Sequence, residues 1–269
     1  MSEQNLEEKI RSLQALIDGA SKIVFFGGAG GSTESGLKDF RSQDGLYHEH
    51  YKYPPETILS HSFFMHQPED FYRFYFDKLL VDGLAAPKSS GQTGTPAGGE
   101  RSSRVIEPNA AHKKLAELET AGKLSAVITQ NIDGLHQAAG SKTVYELHGS
   151  IRRAHCMDCG AHYELDYIME HTPIPCCSCG GTVRPDVVLY EESLDTATIE
   201  GAVAAIRAAD TLIIGGTSLI VYPAAGLIDY FRGEHLVLIN KSETSADRHA
   251  ELVIREPIGD VLHAALPEE

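Results

Sequence analysis

Residues 22–32 read KIVFFGGAGGS: an apolar strand, Ile23 to Phe26, that runs straight into a glycine turn. Strand, glycine turn and a following helix N-terminus together present backbone N–H groups to a pyrophosphate. The usual G-x-G-x-x-G is incomplete, because Gly28 and Gly30 fit but Thr33 stands third. Nor does an acidic residue close a second strand about 20 residues on, as that fingerprint requires. A standard dehydrogenase is disfavoured, and both phosphate binding and a plain tight turn stay open at this point.

Outward from that turn the chain alternates helix and apolar strand. Residues 3–19 carry Leu6, Ile10, Leu13, Leu16 and Ile17 at helical spacing, and residues 68–80 place Phe71, Phe74 and Tyr75 on one side of a helix. EPNAAHKKLAELETAG offers Pro108 for the first turn of a helix and Gly122 for its end. SAVITQN, VYELHG, VVLY, TLIIGGTS and HLVLIN read as strands; residues 196–208 and YPAAGLIDYFRG read as helices. This order predicts a parallel sheet covered on both faces. Residues 86–103, APKSSGQTGTPAGGERSS, can bury little and are expected to form a mobile surface insertion.

HCMDCGAHYELDYIMEHTPIPCCSCGG, residues 155–181, holds all five cysteines of the chain. A disulfide staple, a redox pair and a metal site compete. The acidic, amphipathic start is no signal peptide and no apolar run spans a membrane, so a cytoplasmic chain without disulfides is expected. Cys156 and Cys159 form one C-x-x-C, Cys176 and Cys179 a second, with 16 residues between the pairs. Four thiolates at that spacing suit one structural Zn²⁺ with no open position for chemistry. Cys177 is read as the spare thiol.

Among 269 residues, 42% are hydrophobic, enough for a sizeable core. The 23 basic against 38 acidic side chains give a formal charge of −15, which repels nucleic acid and anionic membranes and attracts basic, lysine-bearing proteins. Function must lie at the strand ends, where an open α/β sheet gathers its ligand groups. Three polar clusters sit there: Gln130-Asn131-Ile132-Asp133, His148-Gly149 and Gly216-Thr217-Ser218. Singly each reads as a cap or a turn. Jointly they bring amides, a carboxylate, an imidazole and hydroxyls to one crevice.

With GAGGSTESGLKDFRSQDGLY, TQNIDGLHQAAGS, ELHGS, the double C-x-x-C, GTSLIVYPAAG and LVLINKSET in place, the chain resembles the sirtuins, NAD-dependent protein deacylases. The resemblance implies an α/β fold: a Rossmann-like parallel sheet with helices on both faces, plus a small zinc-binding lobe. It divides the chain into a large lobe (about 1–47, 108–150 and 182–269), a helical insertion (about 48–107) and a zinc module (about 151–181). NAD and an acyl-lysine would enter the cleft between lobes from opposite sides.

The family's roles fall on these positions. Ala29, Gly30 and Ser32 would form the phosphate turn, with Phe40 and Arg41 over the nicotinamide ribose. Gln130 and Asn131 would address the ribose and Asp133 the nicotinamide amide. Gly216, Thr217 and Ser218 would contact phosphate and ribose, and Asn240 the adenosine half. His148 would be the general base, aided by Asn131, since imidazole titrates near working pH. Val188, Leu189 and Val221 would hold the substrate backbone as an added strand.

Two positions depart from the family. Gly31 replaces a usual Ile, Val or Ala and loosens the turn. Lys38 replaces a usual Pro and adds a charge near the nicotinamide pocket. The resemblance implies transfer of an acyl group from lysine to ADP-ribose with release of nicotinamide. Mono-ADP-ribosylation and a non-catalytic NAD-binding regulator are the alternatives. Succinyl-selective members carry a Tyr and an Arg three residues apart on a helix. Here FYRFYF (71–76) offers Tyr72 with Tyr75 at i+3, so a neutral acyl group is expected.

Overall fold

The computed structural model describes residues 3–39, 45, 51–80 and 106–266. Phe40, Arg41 and the 86–103 insertion lie outside them. In chain order come α1 (Glu3–Gly19), β1 (Ile23–Gly27), α2 (Pro55–Ile58), α3 (His61–His66), α4 (Pro68–Phe74), α5 (Ala110–Thr120), β2 (Leu124–Thr129), α6 (Leu135–Ala138) and β3 (Val144–Glu146). They continue with β4 (Gly149–Cys156), β5 (His162–Glu164), α7 (Leu165–Glu170), β6 (Val183–Val187), α8 (Thr196–Ala208), β7 (Thr211–Gly215), β8 (His235–Ile239), β9 (Leu252–Ile254) and α9 (Ile258–Ala265).

Six strands form one sheet in the order β3-β2-β1-β7-β8-β9, and every neighbouring pair is parallel. Side chains alternate across it. Phe25, Val127, Ile213 and Val237 point to the face covered by Leu13 and Ile17 of α1, Leu115 of α5 and Leu262 of α9. Val24, Phe26, Ile128, Leu212 and Ile214 point the other way, onto Ala202 and Ile206 of α8. Burial on both faces is why these strands carry no polar alternation. β1 is flanked by β2 on one side and β7 on the other, so the chain order reverses there and leaves a crevice at the carboxyl ends.

A second, antiparallel sheet, β5-β4-β6, lies over its own core of Phe64, Phe71, Tyr72, Phe74 and Tyr75. The expected helix at 68–80 is α4 continued by a π-helical turn, Tyr75–Leu79. Pro108 lies outside the first turn of α5, which starts at Ala110 behind the Asn109 cap, and Gly122 follows the helix end with φ of 74°. Two elements differ from the periodicity. Of VVLY only Val187 belongs to a strand, the antiparallel β6, whereas Tyr190 makes an isolated bridge with Ser60. Residues Ala224–Tyr230 form a 3₁₀ helix.

Candidate active site and metal centre

The crevice opens into a cavity of 710 Å³. Its floor is built by close backbone approach. The Gly30 N–H donates to the Gly216 carbonyl at 2.8 Å, and a Cβ on Gly30 would stand 2.8 Å from that oxygen. Gly216 has φ of 59°, and a Cβ there would fall on the Gly31 backbone. The glycines therefore let the turn after β1 press against the turn after β7. Gly31 itself is different: a Cβ there would meet nothing within 4 Å.

Ala29, Gly30, Gln130, Asn131, His148, Gly216, Thr217, Ser218, Asn240, Val188, Leu189 and Val221 all line this cavity. The Gln130 amide donates to Thr217 Oγ1 at 3.0 Å, joining the strand ends of β2 and β7. Ser32 and Asp133 stand behind the wall, both buried. Ser32 donates to Asp133 Oδ2 at 2.7 Å and accepts from Asn131 Nδ2 at 2.9 Å, while Asp133 Oδ1 accepts the Leu135 N–H at 2.9 Å. Asp133 thus holds Asn131 through Ser32.

His148 Nδ1 lies 2.8 Å from the Gln130 carbonyl. A carbonyl only accepts, so Nδ1 carries a proton, and in the neutral tautomer the lone pair is on Nε2. The next residue must be glycine: Gly149 has φ of 76°, and a Cβ there would fall on the Asp186 carbonyl. The imidazole is locked in place by its own chain.

Sequence reasoning missed part of the support. Asn109 Nδ2 donates to the Gly31 carbonyl at 2.8 Å, and His112 Nε2 lies 3.5 Å from Ser32 Oγ. The signal was the N-x-x-H capping box at the start of α5. Burial, opposed by nearby Asp133, lowers the His112 pKa to about 4, and burial lowers that of adjacent His136 to about 3. Both rings are neutral at working pH. Leu59, Leu79, Glu191 and Glu192 also line the cavity and carried no motif, and Ile132 and Lys241 line it from within motifs that assigned them no role.

Tyr72 does not reach the cavity. It is wholly buried in the aromatic core, and its hydroxyl donates to the Val183 carbonyl. The helix turns this face inward because Phe64, Phe71 and Tyr75 surround it. Arg73 points to solvent and pairs with Asp70 at 2.9 Å. Neither can select an acyl group.

In the cysteine module the Sγ atoms of Cys156, Cys159, Cys177 and Cys179 all lie within 4.8 Å of one another. This corrects the choice of Cys176. Its Sγ is exposed and turned to the Ile174 carbonyl at 3.5 Å, whereas the side chain of the next residue points inward. The reason is local pairing: Cys176 bridges Thr182 while the Cys177 N–H donates to the Gly181 carbonyl at 2.7 Å, which closes the hairpin with Cys177 inside. The second knuckle is therefore C-x-C. Tyr163 Oη donates to Cys177 Sγ at 3.0 Å, and the Cys179 N–H donates to it at 3.5 Å. That backbone N–H first, then the Tyr163 hydroxyl, lowers the Cys177 pKa to about 6.

Four soft sulfur donors fit Zn²⁺. Sγ separations of 3.4 Å (Cys156 to Cys179) and 3.6 Å (Cys159 to Cys177) sit near the roughly 3.8 Å edge of a tetrahedron with Zn–S of about 2.3 Å. Such separations are also far too long for disulfides.

The sequence pattern of the Sir2 family matches residues 28–89 and 99–223. The chain belongs to the Sir2 family. Among Sir2 relatives, the NAD-dependent protein deacetylase of Clostridium acetobutylicum is 52% identical over 265 residues, covering 97% of this chain and 99% of that protein. The NAD-dependent protein deacetylase of Clostridium perfringens is 54% identical, covering 96% and 98%. A Sir2 structure with a deacetylated p53 peptide and 3′-O-acetyl ADP ribose superposes with a TM-score of 0.81 at 32% identity, covering 96% of this chain and 97% of that one. A Sir2 homologue in complex with NAD gives 0.79 at 33% identity, covering 95% and 91%.

Proposed function

We propose that this protein is an NAD-dependent protein-lysine deacetylase, transferring the acyl group from lysine to ADP-ribose and releasing nicotinamide. The observation that carries the reading is His148: its Nδ1 is bound to the Gln130 carbonyl, which leaves Nε2 as the basic nitrogen of a ring that lines the 710 Å³ cavity. The cavity's polar floor fits NAD. The close approach of Gly30 and Gly216 gives a floor of bare backbone suited to a phosphate, and Gln130, Asn131, Thr217, Ser218 and Asn240 offer amides and hydroxyls to riboses. Bound NAD supplies an electrophilic ribose carbon and a leaving group.

The chain's own residues do the rest. His148 Nε2 takes the proton from a ribose hydroxyl. Asn131, fixed through Ser32 and Asp133, orients the ribose. Val188, Leu189 and Val221 grip the peptide so that the acyl oxygen is held against its target, which removes most of the entropic cost of the encounter. Cys156, Cys159, Cys177 and Cys179 would hold one structural zinc, away from the chemistry. Acylated lysines in proteins are the partners, in keeping with the formal charge of −15. Among the described residues no helix is long and apolar enough to cross a membrane; a cytoplasmic location is part of this proposal.

We assign the acyl group to the apolar part of the lining, Leu59, Leu79, Ile132 and Val187; among the described lining residues the one Lys or Arg is Lys241. Lys241 follows β8, two strands from β1. A succinyl carboxylate would be desolvated there without a partner, so acetyl-lysine or a longer neutral acyl-lysine is preferred. The test follows both labels of acyl-labelled peptide and adenine-labelled NAD. Acyl-ADP-ribose with equimolar nicotinamide is expected, and at least tenfold lower kcat/KM on the succinylated peptide. ADP-ribose attached to protein would favour a transferase, and no nicotinamide release a non-catalytic regulator.

A further inference from the structure

Glu192 stands on the cavity wall, yet it has no oxygen left for substrate. Oε1 accepts from Arg184 Nη1 at 2.6 Å and from His61 Nδ1 at 2.8 Å. Oε2 accepts from Arg184 Nη2 at 2.6 Å and from the Leu189 N–H at 2.8 Å. Arg184 Nη2 also donates to the Val187 carbonyl at 3.0 Å. Both side chains are mostly buried, at 13% and 18% exposure. A fork-to-fork pair in that setting is rigid as well as strong. Burial pushes the Glu192 carboxyl up, but Arg184, the Leu189 N–H and His61 outweigh it and hold it at about 2.

The ion pair therefore grips the chain on both sides of Val188. Val188 itself donates its N–H to the carbonyl of His148 at 2.9 Å. One continuous set of bonds thus runs from Arg184 and Glu192 through residues 187–189 to the backbone of the catalytic histidine. We propose that Arg184 and Glu192 are positioning residues that hold the 187–189 wall in register with His148 and so set the affinity for acyl-lysine peptide, without touching NAD. The proposal rests on the deacetylase reading, in which that wall receives the peptide.

The test is steady-state kinetics of Glu192→Gln and Arg184→Lys, each varying peptide and NAD separately. Loss of one charge-assisted bond should raise the peptide KM about tenfold, with kcat and the NAD KM within about twofold of the parent. The double exchange Arg184→Glu with Glu192→Arg restores the ion pair but faces a donor with the Leu189 N–H and an acceptor with the Val187 carbonyl. It should not rescue the peptide KM. An unchanged peptide KM in both single variants, a parallel rise in the NAD KM, or rescue by the exchange overturns the proposal. If the parent fails to deacetylate at all, the deacetylase reading falls instead. The clamp is then read from hydrogen exchange, where the Leu189 amide should exchange about tenfold faster in Glu192→Gln; equal exchange refutes it.

Discussion

The strand-end cleft and the cysteine module use opposite means to place a reactive atom. In the cleft, backbone does the placing: Gly149 at φ of 76° forces the turn at His148, and the glycines at 30 and 216 let two turns meet. Each such position admits one residue type, so the motif dictates the geometry. In the cysteine module Cys176 and Cys177 are chemically identical neighbours, and only the hairpin pairing of Cys177 with Gly181 decides which faces the cluster. Spacing counts residues, whereas a ligand is chosen by direction. A motif is strong evidence where sterics leave no alternative and weaker where two equal side chains stand in line.

The largest expected effect falls on the cleft. His148→Ala should lower peptide turnover on the order of 10²–10⁴-fold, while thermal unfolding and NAD binding stay close to the parent. Near-normal turnover would remove the histidine from the mechanism. In the module, one equivalent of zinc should copurify. Cys177→Ala should lose more zinc affinity than the roughly 100-fold upper range of outer-shell changes, and Cys176→Ala should keep it, as read by chelator competition. The reverse result would restore Cys176 as ligand and break the comparison. Tyr163→Phe removes only the hydroxyl over Cys177 and should cost about 10–100-fold in zinc affinity, with a shifted thiolate-to-metal band in the Co²⁺-loaded protein.

Acid sharpens the contrast from the other side. His112 and His136 are held near 4 and 3 by burial, below their unfolded values. The unfolded chain thus takes up protons first, and stability falls as pH drops below about 6.5, by about 1.4 kcal/mol per pH unit per histidine. Urea melts between pH 7 and pH 5 measure it, and His112→Asn should flatten the slope. The smallest effect belongs to Gly31→Ala. With open space for a Cβ, it should stabilise by about 0.4–1 kcal/mol by restricting the unfolded chain, leaving NAD affinity unchanged.

Much of this was legible in the sequence because apolar runs with no polar alternation have one stable home, a sheet covered on both faces. The polar clusters after β2, after β3 and after β7 were legible because strand ends at a switch point share a crevice. Tyr72 was not. Helical spacing places it relative to Phe71 and Tyr75, but which way the helix turns is decided by packing on Phe64 of α3 and by the Val183 carbonyl of β6, contacts that helical spacing does not state. Asn109 and His112 were overlooked because a capping box explains itself locally, and its second duty toward Ser32 and Gly31 appears only across 78 or more residues of separation. Glu192 gave no signal, since one carboxylate in an acidic chain looks like any other.

β4 ties the cleft to the cysteine module. It begins at Gly149, one residue beyond the base, and ends at Cys156, inside the thiol cluster; because it bulges between Ser150 and Ala154, its two ends pair across only four steps of β6, about 13 Å. Its partner β6 pairs Val187 with Gly149 at one end and Val183 with Cys156 at the other. Histidine and metal are thus the two ends of one tie rod, anchored at the far end by sulfur. Stripping the ion would slacken that anchor without touching any reacting atom, and the slack would travel toward the cleft as a loss of tension in the ladder. Chelation should accordingly read as a gradual drift in peptide affinity that precedes any loss of NAD binding.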